Sequence, residues 1–139
     1  ETVQSLAGEA KRRGVTLTLS GSPVTVRGVP SLLSEVIYNL CDNAIKYNRP
    51  DGTVHIEIGT ADGMAKIVVS DTGIGIPPQH QDRVFERFYR VDKSHSKASG
   101  GTGLGLSIVK HATLLHHGKI FMQSEEGKGT TMTVLLPLA

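Results

Sequence analysis

Three polar residues in one segment have the types and the spacing to bind a metal ion and a phosphate group together. Asn39, Asn43 and Lys46 lie at i, i+4 and i+7, so in a helix they share one face. Amide oxygens can ligate Mg²⁺, which takes few protein ligands and fills its shell with water and phosphate oxygens. The lysine supplies a positive charge for an anion. The alternative is a polar helix face that only contacts solvent, which is the commoner case in isolation.

A carboxylate at the end of an apolar run is the second candidate. Asp71 directly follows Ile67–Val69 and Ser70, and glycines stand at positions 73 and 75. An ionised carboxylate only accepts hydrogen bonds, which suits an exocyclic amine such as that of adenine. The glycines allow a ligand and the backbone to approach closely. The same residues are also compatible with a simple turn that ends a strand.

A glycine-rich segment before an apolar helical pattern is the third candidate. Its glycines alternate at Gly101, Gly103 and Gly105. Backbone N–H groups in such a turn, and at the start of the helix that follows, bind anions such as phosphate. The spacing matches neither the Walker A motif nor the Rossmann fingerprint, so a flexible loop is an equal alternative for this segment alone.

Interleaved helical and strand patterns must position these groups. The periodicity predicts helices over 2–13, 30–47, 78–88 and 104–116. It predicts strands over 15–19, 24–26, 54–58, 65–70, 119–123 and 130–136, with at least two hairpins. In the helix from residue 30, an apolar stripe of Leu33, Ile37, Leu40 and Ala44 should face the sheet. The pattern favours a two-layer α/β sandwich with a mixed sheet.

Composition limits the classes of protein to consider. The chain of 139 residues fits one domain, residues 1–139, and a net charge of +2 demands neither nucleic acid nor a membrane surface. No apolar run approaches the ~20 residues that span a bilayer. The single cysteine, Cys41, suits a reducing compartment and a place in the core. Because the chain begins inside a predicted helix, we expect it to be a fragment.

Four motifs in a fixed order connect the three candidates. N-L-C-D-N-A-I-K-Y begins at Asn39, D-T-G-I-G-I-P at Asp71, F-E-R-F-Y-R at Phe85 and G-T-G-L-G-L at Gly101. They resemble the N, first glycine, F and second glycine boxes of the catalytic ATP-binding domain of bacterial sensor histidine kinases, in the GHKL superfamily. The segment 127–130 resembles the last glycine element of that family. The resemblance covers nearly the whole chain. It implies a Bergerat fold, with about five strands, about three helices and a mobile ATP lid over 89–102.

The resemblance also implies roles for individual residues. Asn43 would ligate Mg²⁺ with Asn39 assisting, Asp71 would bind the adenine amine, and Thr131 would bond near the base through water. The implied nucleotide-binding set is Asn39, Asn43, Lys46, Tyr47, Asp71, Gly73, Gly75, Ile76, Gly101, Thr102, Gly103, Leu104, Gly105, Leu106 and Thr131. Phe85 and Phe88 would anchor the lid or dock on a partner domain, although core packing is an alternative for both.

Positive charge is concentrated around the F box. The segment 83–97 carries five cations against two carboxylates. A positioned arginine can stabilise the negative charge of a phosphoryl group in transfer. Arg90 is the better candidate for that role, with Arg87 behind it, and a plain surface arginine is an even alternative for Arg90.

One position separates a kinase from a hydrolase. ATP hydrolases of the superfamily, such as DNA gyrase, carry a glutamate where Asn39 stands, and a carboxylate can activate water as a general base. An amide cannot, so Asn39 favours a kinase. None of the six histidines has the His-Glu-Leu-Arg-Thr-Pro context of a phosphoacceptor. His117 departs from the family, which usually has a glycine there.

The resemblance therefore implies that this chain binds Mg-ATP. It would transfer the γ-phosphoryl group to a histidine on a separate dimerisation and phosphoacceptor domain, in two-component signal transduction. The implied full-length protein is a membrane-anchored homodimer that acts indirectly on a response regulator, with this domain cytoplasmic, monomeric when isolated, and without a nucleic-acid partner. A serine kinase of the anti-sigma type, or an ATP-binding module without transfer activity, are the alternatives.

Overall fold

The computed structural model describes residues 2–86 and 105–139. Within them the chain forms four helices: α1 (Thr2–Arg12), α2 (Pro30–Lys46), α3 (Pro78–Gln81) and α4 (Gly105–Leu115). It also forms five strands: β1 (Thr16–Gly21), β2 (Thr53–Ala61), β3 (Met64–Asp71), β4 (Lys119–Glu125) and β5 (Gly129–Pro137). The F-box residues from Arg87 onward, the expected lid and the second glycine box as far as Leu104 lie outside the described residues.

The five strands form one mixed sheet in the order β1-β2-β3-β5-β4. β1 pairs in parallel with β2, whereas the other neighbouring pairs are antiparallel. The hairpin between β2 and β3 turns at Asp62 and Gly63, whose φ angles are 52° and 77°. Two positive φ values suit the right-handed twist of the strands that the turn connects. The predicted α/β sandwich with a mixed sheet is confirmed.

The helices cover one face of this sheet. Alternate residues of the three central strands are buried on that face: Val54, Ile56, Ala65, Ile67, Val69, Met132, Val134 and Leu136. From α2, the buried residues are Val36, Leu40, Cys41, Ala44 and Ile45. Leu33 and Ile37 of the predicted stripe are only partly buried against this core. The sheet-facing stripe is therefore rotated from the prediction toward Cys41 and Ile45.

Two predicted elements differ from the structure. Residues 24–26 form no strand; Val26 makes one isolated antiparallel bridge with Leu138. Since β1 pairs along its length with β2, and Ser22 N–H continues this pairing to the carbonyl of Ile58, no hairpin partner is needed after Pro23. The helix predicted over 78–88 is a single turn, α3, followed within the described chain by turns up to Glu86.

Cys41 is fully buried, as predicted for a core thiol. Burial raises the pKa of the Cys41 thiol to about 12, with a smaller contribution from the charge of Asp42. The thiolate is therefore scarce at neutral pH. Within 2–86 and 105–139, no helix is long and apolar enough to cross a membrane.

Candidate nucleotide-binding site

The Asp71 carboxylate lies at the end of β3 on the helix-covered face of the sheet. Ala65, Ile67 and Val69 point toward the helices, and the two-residue period of a strand places Asp71 on the same side. Its Oδ1 accepts hydrogen bonds from the backbone N–H groups of Gly73, at 2.9 Å, and Thr130, at 3.2 Å. Among the described residues, Oδ2 has no hydrogen-bond partner, which leaves it available to a donor.

Burial raises the pKa of the Asp71 carboxyl above its ordinary value, and the two backbone hydrogen bonds act against that rise. The carboxylate is therefore held in one orientation while it is poorly solvated. The Oδ1 of Asp71 already accepts two hydrogen bonds, whereas Oδ2 is free and poorly solvated. An exocyclic amine suits Oδ2, because it can donate the hydrogen bond that water would otherwise supply.

Two glycines let the loop after β3 lie against its neighbours. A Cβ on Gly73 would fall 2.5 Å from the carbonyl oxygen of Tyr47, at the end of α2. Gly75 has a φ of 71°, and a Cβ there would fall 2.2 Å from the carbonyl oxygen of Glu125, at the end of β4. The structure thus gives both glycines a packing requirement, and their contact with a nucleotide stays a prediction.

An exposed apolar surface lies next to this loop. The Ile74 N–H donates to the carbonyl of Tyr47 at 3.1 Å, so the two residues are neighbours. Their side chains are 49% and 39% exposed, which is high for residues of this type. The carbonyl of Ile74 in turn accepts from the Gly127 N–H at 2.8 Å, and Arg49 donates to the carbonyl of Gly127. Exposed apolar side chains near the loop that follows Asp71 suit a purine ring.

The polar face of α2 meets the start of α4. The Oδ1 of Asn39 lies 3.2 Å, and the Nδ2 of Asn43 3.7 Å, from the point where a Cβ on Gly105 would be. The Nδ2 of Asn39 donates to the carbonyl of Glu35 at 2.8 Å, which turns its oxygen toward Gly105. The structure therefore brings Asn39 and Asn43 together, as their spacing predicts, and it places Gly105 beside them. Two neighbouring side-chain amides suit a cation bound to phosphate.

Lys46 is not free on this face. Its ammonium lies 2.9 Å from Oδ2 of Asp42, and the two side chains are only 20% and 14% exposed. The i, i+4 spacing of Asp42 and Lys46 on a helix was the available signal for this pair. If Lys46 contacts phosphate, it must share its charge with Asp42 or leave it.

Thr131 lies on the other face of the sheet from Asp71. Its hydroxyl donates to Oγ of Ser70 at 3.3 Å, and Ser70 is the residue before Asp71, so both point away from the helices. Thr130 instead pairs with Asp71 and shares its face. The predicted contact of Thr131 near the base is not supported by this placement. The alternation of Thr130 with Met132 and Val134 was the signal that could have identified Thr130.

The remaining predicted residues divide into two groups. Ile76 donates its N–H to Oγ of Ser124 at 2.8 Å, and Leu106 is partly buried against the core. Phe85 also packs against the core, with the Lys110 ammonium 6.0 Å from its ring centre, which fits the core alternative. Outside the described residues lie Arg87, Phe88, Arg90, Gly101, Thr102, Gly103 and Leu104.

Comparisons with known proteins agree with this architecture. Residues 28–139 match the model of the family described as histidine kinase-, DNA gyrase B-, and HSP90-like ATPase. The sensor-like histidine kinase SenX3 of Mycolicibacterium smegmatis is 50% identical over 113 residues, which are 81% of this chain and 29% of that protein. The sensor histidine kinase RppB of Synechocystis is 44% identical over 120 residues, 86% of this chain and 26% of that protein.

Among solved structures, the mycobacterial sensor histidine kinase MprB is similar over 99% of this chain and 91% of its own, with a TM-score of 0.82 and 34% identity. The chain spans under a third of the length of SenX3 and RppB. The resemblance in the motifs and the likeness in fold agree. The chain therefore belongs to the family of histidine kinase-, DNA gyrase B- and HSP90-like ATPases, as a catalytic ATP-binding domain of the sensor histidine kinase type.

Proposed function

We propose that this chain binds Mg-ATP and presents the γ-phosphoryl group to a histidine on a separate dimerisation and phosphoacceptor domain. The observation that carries the proposal is the placement of two groups in one layer of the molecule. Asp71 faces the helices, and the loop after it touches the end of α2 through Gly73 and Tyr47. Asn43 lies one helical turn before Tyr47, beside Gly105. A nucleotide can thus reach from Asp71 to the α2 amides without crossing the sheet.

The polar residues of α2 fit the magnesium ion that the family uses. Asn39 directs an amide oxygen toward Gly105, and the side chain of Asn43 has no hydrogen-bond partner among the described residues. Such neutral oxygen ligands leave most of the magnesium shell to water and phosphate, which is the usual arrangement for a nucleotide-bound ion. When bound, the ion would neutralise charge on the β- and γ-phosphates. Asn39 and Asn43 are the residues that would hold it.

Asn39 also favours transfer over hydrolysis. Its amide nitrogen is used by the carbonyl of Glu35, and an amide has no basic atom that could take a proton from water. Glu35 is exposed and lies one turn earlier on α2. The protein therefore holds ATP for a nucleophile that arrives with another domain. A response regulator, a membrane-anchored homodimer and a cytoplasmic position belong to the same proposal.

The experiment mixes this chain with labelled ATP, Mg²⁺ and a separate dimerisation and phosphoacceptor domain. We expect label on the acceptor that is lost in acid and stable in base, as for a phosphohistidine. Acid-stable label would indicate a hydroxyl acceptor and so a serine kinase. Free phosphate without labelled acceptor would indicate a hydrolase, and bound ATP with neither product would indicate a binding module. Omission of Mg²⁺ is the control for the metal.

A further inference from the structure

A chain of hydrogen bonds connects the Asp71 carboxylate to a serine that the sequence did not single out. Ser124, on β4, points to the helix-covered face and pairs in register with Thr130. Its Oγ lies 2.8 Å from the Thr130 hydroxyl oxygen and 3.1 Å from the Gly129 carbonyl oxygen, and it accepts from the Ile76 N–H at 2.8 Å. Thr130 in turn donates its backbone N–H to Asp71.

Counting hydrogens assigns the direction of these bonds. A serine hydroxyl has one hydrogen and two lone pairs. The Gly129 carbonyl can only accept a hydrogen bond, and the Ile76 N–H can only donate one. Ser124 therefore donates to the Gly129 carbonyl and accepts from the Ile76 N–H. The third contact is then satisfied only if the Thr130 hydroxyl donates to Ser124. The hydrogen of Thr130 is thereby occupied, and its oxygen is left with lone pairs alone.

Ser124 is held in place from a second side. The side-chain amide of Gln81 donates to the Ser124 carbonyl at 3.1 Å and to the Ile76 carbonyl at 2.9 Å. These bonds join α3, the loop after β3 and the β4–β5 hairpin around the hydroxyl pair. Ser124 and Thr130 are both partly buried, so competition from water is reduced.

We propose that Ser124 is a positioning residue that makes the Thr130 hydroxyl an acceptor and so helps to select a 6-amino purine over a 6-oxo purine. The inference rests on the proposed function, since it concerns the base of the bound nucleotide. Thr130 and the free oxygen of Asp71 together present two acceptors on one face. An amino group can donate to such acceptors, whereas a 6-oxo group would meet them with its own lone pairs.

The test measures by calorimetry, with Mg²⁺ present, how tightly the chain binds ATP and inosine triphosphate. Inosine triphosphate differs from ATP at the 6-position and the adjacent N1. We expect the wild-type chain to prefer ATP. Ser124→Ala frees the Thr130 hydrogen for an oxo group, so the ATP-to-inosine-triphosphate preference should narrow about tenfold. Ser124→Thr, which keeps the hydroxyl, should restore the preference. Equal weakening of both nucleotides by Ser124→Ala would overturn the proposal, because a merely structural role would give that result.

Two further variants complete the test. Ser70→Ala removes a hydroxyl that accepts from Thr131 on the opposite face of β3 and β5. It should leave the preference for ATP over inosine triphosphate unchanged. Thr130→Val removes the acceptor itself and should narrow the preference even if Ser124→Ala does not fold; an unchanged preference there would refute the proposal independently. If the wild-type chain binds neither nucleotide, the proposed function itself fails, which is a different result from an ATP-binding chain without discrimination.

Discussion

The two ends of the site are built in different ways. At the proposed base end, backbone groups hold the residue that we propose binds adenine: Gly73 and Thr130 donate to Asp71 through their N–H groups. At the phosphate end, the groups are side chains of one helix, and Lys46 is paired with Asp42. Backbone donors are fixed by the chain on both sides of them, whereas long side chains can change partners. The base end is thus held by backbone donors without a ligand, whereas at the phosphate end we expect Lys46 to share its charge with Asp42 or to leave it.

Asp71→Asn should have the largest effect on nucleotide binding. The amide oxygen can still accept from Gly73 and Thr130, but the other atom becomes a donor that faces the adenine amine. We expect ATP affinity to fall about 100-fold, measured by calorimetry. Asp62→Asn, in the exposed hairpin turn, is the matched control and should bind normally. If Asp71→Asn bound ATP with wild-type affinity, Asp71 would not be the residue that binds the adenine amine.

Gly75→Ala should damage the base end through stability. Its φ of 71° is unfavourable for alanine, and the new Cβ would meet the Glu125 carbonyl at 2.2 Å. We expect the free energy of unfolding in urea to fall by about 3 kcal/mol. Gly63→Ala is the matched control, since its φ is 77° but no atom lies within 4 Å of the new Cβ. That control should lose about 1 kcal/mol. Equal losses would show that the contact with β4 is unimportant.

Asn43→Ala should affect the phosphate end alone. If its amide oxygen ligates the metal, ATP affinity measured with Mg²⁺ should fall about tenfold. With the metal removed by chelation, the variant and the wild type should bind ATP equally. A loss of the same size with and without Mg²⁺ would assign Asn43 a role that does not involve the metal.

Asp42→Asn tests the rearrangement expected at the phosphate end. Removal of the carboxylate releases the Lys46 ammonium, so ATP affinity should rise about threefold. The same change made in a Lys46→Met background should have no effect, because the charge to be released is absent. A fall in affinity in Asp42→Asn would mean that the ion pair holds Lys46 in its binding position, and the two ends would then be equally preassembled.

The smallest effect concerns stability without nucleotide. Burial raises the pKa of Asp71 above the ordinary 3.8, so the folded state binds this proton more readily than the unfolded state. The stabilisation of the folded state by protonated Asp71 is fully present below pH 3.8. It is lost as the pH rises through the higher pKa that Asp71 has in the folded state. At neutral pH, Asp71→Asn should therefore unfold at higher urea concentration than wild type. The difference in stability between Asp71→Asn and wild type should shrink in acid. A difference that does not depend on pH would show that the buried charge of Asp71 is not its cause.

Much of the site was predictable because it depends on local spacing. Asn39 and Asn43 lie one turn apart on a helix wherever that helix packs, and Asp71 follows an apolar run that places it at the end of a strand. The turn at Asp62 and Gly63 and the burial of Cys41 were predictable for the same reason. The contrast between the amide of Asn39 and the glutamate of the superfamily's hydrolases came from the resemblance in the motifs, and it stays a prediction.

Tertiary structure decided what no local pattern contains. Residues 24–26 have the residue types of a strand, but they do not pair with β1. The partner of β1 is β2, which lies more than thirty residues later in the chain. Alternation along β5 separates the face of Thr130 from that of Thr131, but only the register of β5 against β3 places Thr130 beside Asp71. The link from Ser124 to Thr130 likewise needs the pairing of β4 with β5. Helix spacing and strand alternation are written in neighbouring residues, whereas the identity of a hydrogen-bond partner depends on which distant segments pack together.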